Sequence, residues 1–474
     1  MKTYYQLCLV GILPLAICAS ISGLSNPICL FVACLWLMLV WWSTEVVPLA
    51  VTALVPIILF PILGIMDMGA VTSNYAKPIV FLFMGGFFIA KSLEVWGLHR
   101  RIAFIIVSIC PGSPRGILAG FMVATAGLSM WISNTATTIM MVSIGLSVAN
   151  YLTDSADLDR SVAVRINTTI MLGIAYAASI GGSSTLIGTP PNLFLATFLQ
   201  EQYGIVLDMA TWMRYGIPYL CIMLPLAWGY LSWTMGPVRS QSFDNLKQVI
   251  HQQLVSLGSI SPEEKRVLII FMITAIAWIG RRFINDWLGG TIVSDTTIAM
   301  VGAMVLFLWP VMPKGGERKK RTSLLTWDQA QTIPWGVLLL FGAGLSIANG
   351  VSETGLQALI MGQLSIVDHL PIWTLVAGLT IATLAITEIS SNLASIAMLL
   401  PLVTAIAMQV GAPLLLICVP VTLAASAAFM LPISTPPNAI VLAYRPLTIR
   451  MMVSRGVVLN IVSIISILAV MAIL

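Results

Sequence analysis

Apolar stretches of about 20 residues, the length that crosses a bilayer as one helix, follow one another along this chain from Tyr5 onward. They place spans near 6–24, 27–42, 47–64, 78–98, 166–200 and 212–235, then near 267–285, 293–312, 334–356, 413–444 and 456–474. A polar, charged connection from Gly236 to Arg266 separates the two sets. Two further apolar runs, 117–150 and 372–410, carry a polar tip in their middle: "ISNTATTIM" from Ile132 to Met140 and "ISSNLASIAM" from Ile389 to Met398. A polar group in hydrocarbon costs several kcal/mol unless something satisfies it. If each of these runs enters and leaves on one side, the chain makes eleven crossings. No small-residue cleavage site follows the first span, so it reads as retained and not as a secretory signal.

Composition agrees with the pattern. Of 474 residues, 58% are hydrophobic and 9% charged, where a soluble domain carries roughly 25% charged residues. The fold class expected is an all-α polytopic membrane protein. With the N-terminus in the cytoplasm, all but five of the 23 basic residues fall on cytoplasmic segments; the exceptions are Lys77, Lys91, Arg214, Arg281 and Arg282. That asymmetry is the positive-inside rule. The seven cysteines all lie in apolar segments, are odd in number and include no CxxC. This argues against a disulfide framework, a zinc site or an iron–sulfur site. His99, His251 and His369 fall at span ends or in the charged loop and read as surface residues.

The two halves resemble each other. An offset of 258 aligns "LFMGGFFIAKSLEVWGL" (82–98) with "LFGAGLSIANGVSETGL" (340–356) and sets Ser133-Asn134 on Ser391-Asn392. An offset of 246 aligns "IGTPPN" (187–192) with "ISTPPN" (433–438). Each copy has five crossings plus one interrupted run. The odd number turns the copies upside down relative to each other, the inverted-repeat plan of secondary transporters.

The interruptions have physical consequences. The Ser-Asn tips read as re-entrant helical hairpins that turn mid-membrane. The double prolines remove two backbone donors and push the preceding Thr out of the α region. This leaves loops at Gly188–Asn192 and Ser434–Asn438, with free carbonyls on one side and a half-helix N-terminus on the other. Carbonyl and side-chain oxygens suit a hard cation such as sodium, while helix N-termini favour an anion. No Lys or Arg occurs between Arg115 and Arg160, or from Pro371 to Tyr444. An anion at the tips is therefore neutralised by helix ends and co-bound cations. Any one of these hydroxyls read alone is a helix-packing residue bonded to its own backbone; their repetition at matching positions favours binding. Glu388, the acidic residue beside the second tip, reads as structural, capping or orienting it.

On these motifs the chain resembles the divalent anion:sodium symporter family, which includes bacterial dicarboxylate transporters and mammalian succinate and citrate carriers. "WWSTEVVPLAVTALVP" (41–56) looks like the family's early helix and "SMWISNTATT" (129–138) like its first tip. "ASAAFMLPISTPPNAI" (425–440) fits the family signature. The resemblance covers essentially the full length. It implies an elevator-type transporter and a homodimer, with scaffold segments at 1–112 and 241–365 and transport segments at 113–240 and 366–474.

Carried over by motif, Ser129, Ser133, Asn134 and the Gly188 region would form a first sodium site. Thr387, Ser390, Asn392 and the Ser434 region would form a second. Substrate carboxylates would meet Ser133, Asn134, Thr135 and Thr189 from one repeat, and Ser391, Asn392, Thr435 and Pro436 from the other. Leu393 departs from the family, where bacterial relatives often have Thr and mammalian ones Val. The function implied is sodium-coupled symport of a C4-dicarboxylate such as succinate, fumarate or malate across a bacterial inner (plasma) membrane, N-terminus inside. The partners implied are a small dicarboxylate, sodium ions, the lipid bilayer and a second copy of the chain, with no nucleic acid. A sodium-independent di- or tricarboxylate exchanger, a sulfate carrier and an anion channel are the competing readings. No HExxH, GxSxG or paired catalytic carboxylates lie in the spans, so an enzyme is not expected.

Overall fold

The structure, a computed structural model, describes residues 10–18, 20, 26–154, 159–236, 244–311, 322–363 and 369–474. Lys2, Arg239 and the basic run Lys314, Arg318, Lys319, Lys320 and Arg321 lie outside the described residues, as do the domain boundaries expected at 240/241 and 365/366. The described chain is predominantly helical. One correction to the all-α expectation is a minimal antiparallel pair, Pro310–Val311 with Thr322–Ser323.

The interrupted runs are helical hairpins. In the first half, α1 (Pro114–Ser129) and α2 (Asn134–Asp154) flank the first tip, and α3 (Arg160–Gly182) and α4 (Pro190–Tyr203) flank the first double-proline loop. In the second half, α5 (Ile372–Ile389) and α6 (Asn392–Gln409) flank the second tip, and α7 (Leu414–Ala425) and α8 (Pro436–Leu442) flank the second loop. Packing repeats with the order. Helices α1 and α2 lie on α3, as α5 and α6 lie on α7. Across the halves, α8 packs on α2 and α3, while α4 packs on α6 and α7.

The remaining helices exchange partners in the same way. Pro78–Val95 packs against Pro262–Ile279, Asp295–Leu308 and Trp327–Ala330 of the second half. Its counterpart Trp335–Glu353 packs against Pro27–Thr44, Leu49–Thr52, Val55–Ile62 and Met68–Asn74 of the first. Met209–Met235 and Ile449–Ile473, equivalent by order, pack on each other. Arg101 ties the first half to the second: its guanidinium meets Glu264 at 3.0 and 3.2 Å and donates to the carbonyls of Leu257 and Gly258.

The helices depart from the expected spans in several places. Among the described residues, seven helices are long and apolar enough to cross a bilayer, eight if Pro262–Ile279 and Arg281–Leu288, bent by 73°, count as one span. The seven include the hairpin arms α5 and α6 and leave out Met209–Met235, the 14-residue Asp295–Leu308 and the expected spans that break into shorter pieces. The span expected at 6–24 lies partly outside the described residues. The span expected at 47–64 divides into Leu49–Thr52 and Val55–Ile62, the second starting with Pro56 in its first turn. Loops interrupt 166–200 and 413–444 as the prolines predict. The connection 236–266 contains a helix, Asp244–Ser256.

Cys18 and Cys29 form a disulfide, with Cα atoms 6.1 Å apart. The cysteine count missed it because the pairing depends on two consecutive span ends meeting. Finally, His99 is buried and its Nδ1 lies 2.9 Å from the Leu93 carbonyl. Burial holds its imidazole below the ordinary histidine range.

Candidate functional site

Local sequence sets each tip and loop. Ser113 caps α1 by accepting from the Gly116 amide, with Pro114 at the first helical position. After Ser129 the chain turns over four residues, and Ser133 accepts from the Ala136 amide as α2 begins. The second tip is shorter, with Ser390 and Ser391 joining α5 to α6. In the double-proline loops, Thr189 and Thr435 are extended and each is followed by two prolines in a first helical turn. Proline at those positions gives up only an amide that the helix start leaves unbonded.

These elements bring two matching sets of oxygens together. In the first, the Asn134 amide meets Ser129 Oγ at 2.6 Å and the carbonyls of Ala178 and Gly188 at 3.1 and 3.3 Å. With nitrogen towards them, it donates to all three. Turned by 180°, its Oδ1 receives the Ser129 hydroxyl and completes a set of four oxygens. In the second, the Asn392 amide meets Thr387 Oγ1 at 3.0 Å and the carbonyls of Ala425 and Ser434 at 3.1 and 3.3 Å. The single Thr387 hydroxyl proton goes to Ala425 O at 2.7 Å or, with the amide turned, to Asn392 Oδ1 at 3.0 Å. An amide oxygen facing carbonyls is repulsive until positive charge lies among them. Each set is thus satisfied either by the amide NH2 or by a hard cation in its place.

Close approach requires glycine at two positions in the first set. A Cβ on Gly182 would lie 2.2 Å from Asn134 Oδ1, and one on Gly188 would lie 2.4 Å from the Gly182 carbonyl. Thr185 braces the same loop: its hydroxyl donates to the Met130 carbonyl at the tip and accepts from the Gly188 amide. The second half has Leu431 at that position and a different brace. Buried Glu388 accepts from the amides of Phe429, Met430 and Leu431 at 2.9–3.0 Å, and from Asn460 Nδ2 at 2.6 Å. Those bonds give Glu388 the structural role expected of it.

Of the residues predicted from sequence, Ser129, Asn134 and Gly188 meet in one set, and Thr387, Asn392 and Ser434 in the other. Ser133 precedes α2, Thr135 lies in its first turn, and Ser391 precedes α6; all three are half-buried. Ser390, Thr189 and Thr435 are buried beside the tip and loops, while Pro436 is exposed at the start of α8. Leu393 is buried on α6. Sequence reasoning missed the carbonyls of Ala178 and Ala425, which no side chain advertises. It also missed the clamps of Asn192 and Asn438, although their repetition in "TPPN" was a usable signal.

Comparison with known proteins shows the family of the chain. The sodium:sulfate symporter transmembrane region matches residues 2–474. The chain belongs to the sodium:sulfate symporter family. Within it, the chain is 39% identical over 440 residues to the sodium-dependent dicarboxylate transporter SdcS of Staphylococcus saprophyticus, covering 92% of this chain and 84% of that protein. It is 38% identical over 439 residues to SdcS of Staphylococcus aureus, with the same coverage. Among solved structures, the Alcanivorax borkumensis YdaH transporter aligns with a TM-score of 0.50 at 12% identity, covering 85% of this chain and 86% of that one. As a member of the sodium:sulfate symporter family the protein is an integral membrane transporter, not an enzyme.

Proposed function

We propose that this protein is a sodium-coupled symporter of a C4-dicarboxylate such as succinate, fumarate or malate. The observation that carries this reading is the pair of matching oxygen sets around Asn134 and Asn392, made from neutral hydroxyl, amide and carbonyl groups. Such donors suit sodium, a hard monovalent cation. The names of the SdcS relatives, sodium-dependent dicarboxylate transporters, support the same substrates over the sulfate in the family's description.

In this reading sodium sits among Ser129, Ser133, Asn134 and the Gly188 carbonyl in one half, and among Thr387, Ser390, Asn392 and the Ser434 carbonyl in the other. The dianion lies between the tips. Its carboxylates face the N-terminal ends of α2 and α6, whose unbonded amides favour negative charge. They also face those of α4 and α8, which have prolines in place of their first two amides and contribute through the helix dipole alone. Ser133, Asn134, Thr135 and Thr189 contact it from one side, and Ser391, Asn392, Thr435 and Pro436 from the other. Sodium supplies the positive charge that basic side chains do not.

Reciprocal packing of the two halves supports an inverted repeat with two re-entrant hairpins, and in this reading the chain makes eleven crossings. The segments 113–240 and 366–474 carry the site as a transport domain against a scaffold from 1–112 and 241–365. The scaffold forms a homodimer in the bacterial plasma membrane, N-terminus cytoplasmic, and the transport domain moves by an elevator stroke. Radiolabelled succinate uptake into proteoliposomes tests the reading. Replacing external sodium with choline is expected to abolish net uptake; undiminished uptake driven only by internal dicarboxylate makes the protein an exchanger instead.

A further inference from the structure

Asn192 and Asn438 close the two double-proline segments in the same manner. The Asn192 side chain donates to the carbonyls of Gly182 and Thr185 at 3.1 and 2.7 Å. The Asn438 side chain donates to those of Ala428 and Leu431 at 3.1 and 3.0 Å. In both halves the acceptors stand ten and seven residues before the asparagine. The residues between differ: "SSTL" at 183–186 corresponds to "FMLP" at 429–432. The acceptors common to both clamps are backbone carbonyls, with Ser434 Oγ a further, longer contact of Asn438 at 3.5 Å, so the clamp is indifferent to those side chains. Both asparagines are completely buried, and the Oδ1 of each has no hydrogen-bond partner among the described residues. An uncompensated buried acceptor opposes folding, and here it recurs at the matching position. Stability alone does not explain keeping it twice.

Each clamp encloses the carbonyl that faces the tip asparagine. Segment 182–192 carries the Gly188 carbonyl, and segment 428–438 carries that of Ser434. In the first half the connection is direct. Asn192 holds the Thr185 carbonyl, and the Thr185 hydroxyl bonds both the Gly188 amide and the tip carbonyl of Met130. In the second, Asn438 holds the Leu431 carbonyl, which also accepts from Ser434 Oγ at 2.6 Å. Releasing either clamp lets the loop carbonyl swing away from Asn134 or Asn392.

We infer that Asn192 and Asn438 are positioning residues for sodium, each fixing the carbonyl geometry of the oxygen set in its own half. This inference rests on the sodium-symport reading above. The test uses the full-length protein with Asn192→Asp and Asn438→Asp, which keep size and shape but replace the donating NH2 with oxygen. Asn192→Ser and Asn438→Ser are smaller second variants that retain a hydroxyl donor. Succinate uptake and thermal unfolding are measured across sodium chloride titrations balanced with choline chloride.

The half-saturating sodium concentration is expected to rise at least tenfold in each variant, by more than any change in succinate KM at saturating sodium. The stabilisation that sodium gives over choline should shrink in parallel. A variant less stable in both salts, with wild-type sodium half-saturation, makes the clamp purely structural and overturns the inference. A wild-type protein indifferent to sodium in both assays overturns instead the symport reading on which it rests.

Discussion

Thr189 and Thr435, 246 residues apart, hold nearly the same backbone: φ −142°, ψ 143° for the first and φ −140°, ψ 142° for the second. The cause is local, since a residue before proline is driven out of the α region. Their side chains differ. Thr435 accepts from the Asn438 amide at 3.4 Å, whereas the Thr189 side chain makes no capping bond. Thr435→Ala should therefore cost about 1 kcal/mol through its lost cap, and Thr189→Ala less. Thermal unfolding of the two purified variants without substrate checks the order, and equal costs would contradict it.

Asn134→Ala and Asn392→Ala each remove the one group that can serve its oxygen set as donor or as cation ligand. Each variant should fold, insert and lose nearly all sodium-driven succinate uptake. Wild-type uptake and sodium affinity in either variant, at normal expression, would remove that half's set from the transport site.

Arg101 and Glu264 form an ion pair with both side chains largely buried, at 11% and 9% exposure. Removing one partner of a buried pair costs about 3–5 kcal/mol, and the lower end applies at this helix terminus. Arg101→Gln should lower the unfolding temperature accordingly. Burial works against the Glu264 charge, but bonds and attraction from Arg101, with the Ser261 amide, hold its carboxyl below the ordinary glutamate range. The pair's stabilisation is thus fully present above that ordinary range and is lost as pH falls through the depressed value. Wild type and Arg101→Gln should therefore converge in stability on acidification below pH about 4. A gap that widens on acidification would contradict this.

Leu393 breaks the symmetry with Thr135. It is buried near the start of α6 and cannot donate a hydrogen bond, a contact contributing roughly 1.5–3 kcal/mol when made to a charged group. If it shapes the substrate wall, Leu393→Thr should preserve C4-dicarboxylate transport and shift selectivity between succinate and bulkier citrate. Competition by succinate, malate, fumarate and citrate measures this. An inhibition profile identical to wild type would place Leu393 away from the substrate.

Hairpins and loops were legible in the sequence because their causes are local: a Ser-Asn tip inside an apolar run, and two prolines after a threonine. The six residues that meet in the oxygen sets were legible for the same reason. What stayed hidden depends on contacts distant in sequence or made by backbone alone. The Ala178 and Ala425 carbonyls have no side-chain signature. Cys18 meets Cys29 because neighbouring span ends do, and His99 is buried by packing that its place at a span end does not reveal. Helix continuity was hidden where one apolar run folds as two short helices, as at 49–62.

The initial rate of radiolabelled succinate uptake by wild-type proteoliposomes, measured as a function of external sodium, tests most directly whether both oxygen sets bind sodium. Two oxygen sets, around Asn134 and Asn392, predict a sigmoidal dependence requiring at least two sodium ions per dicarboxylate, with negligible uptake in choline. A hyperbolic dependence on a single sodium ion, or uptake of equal rate without sodium, would contradict it.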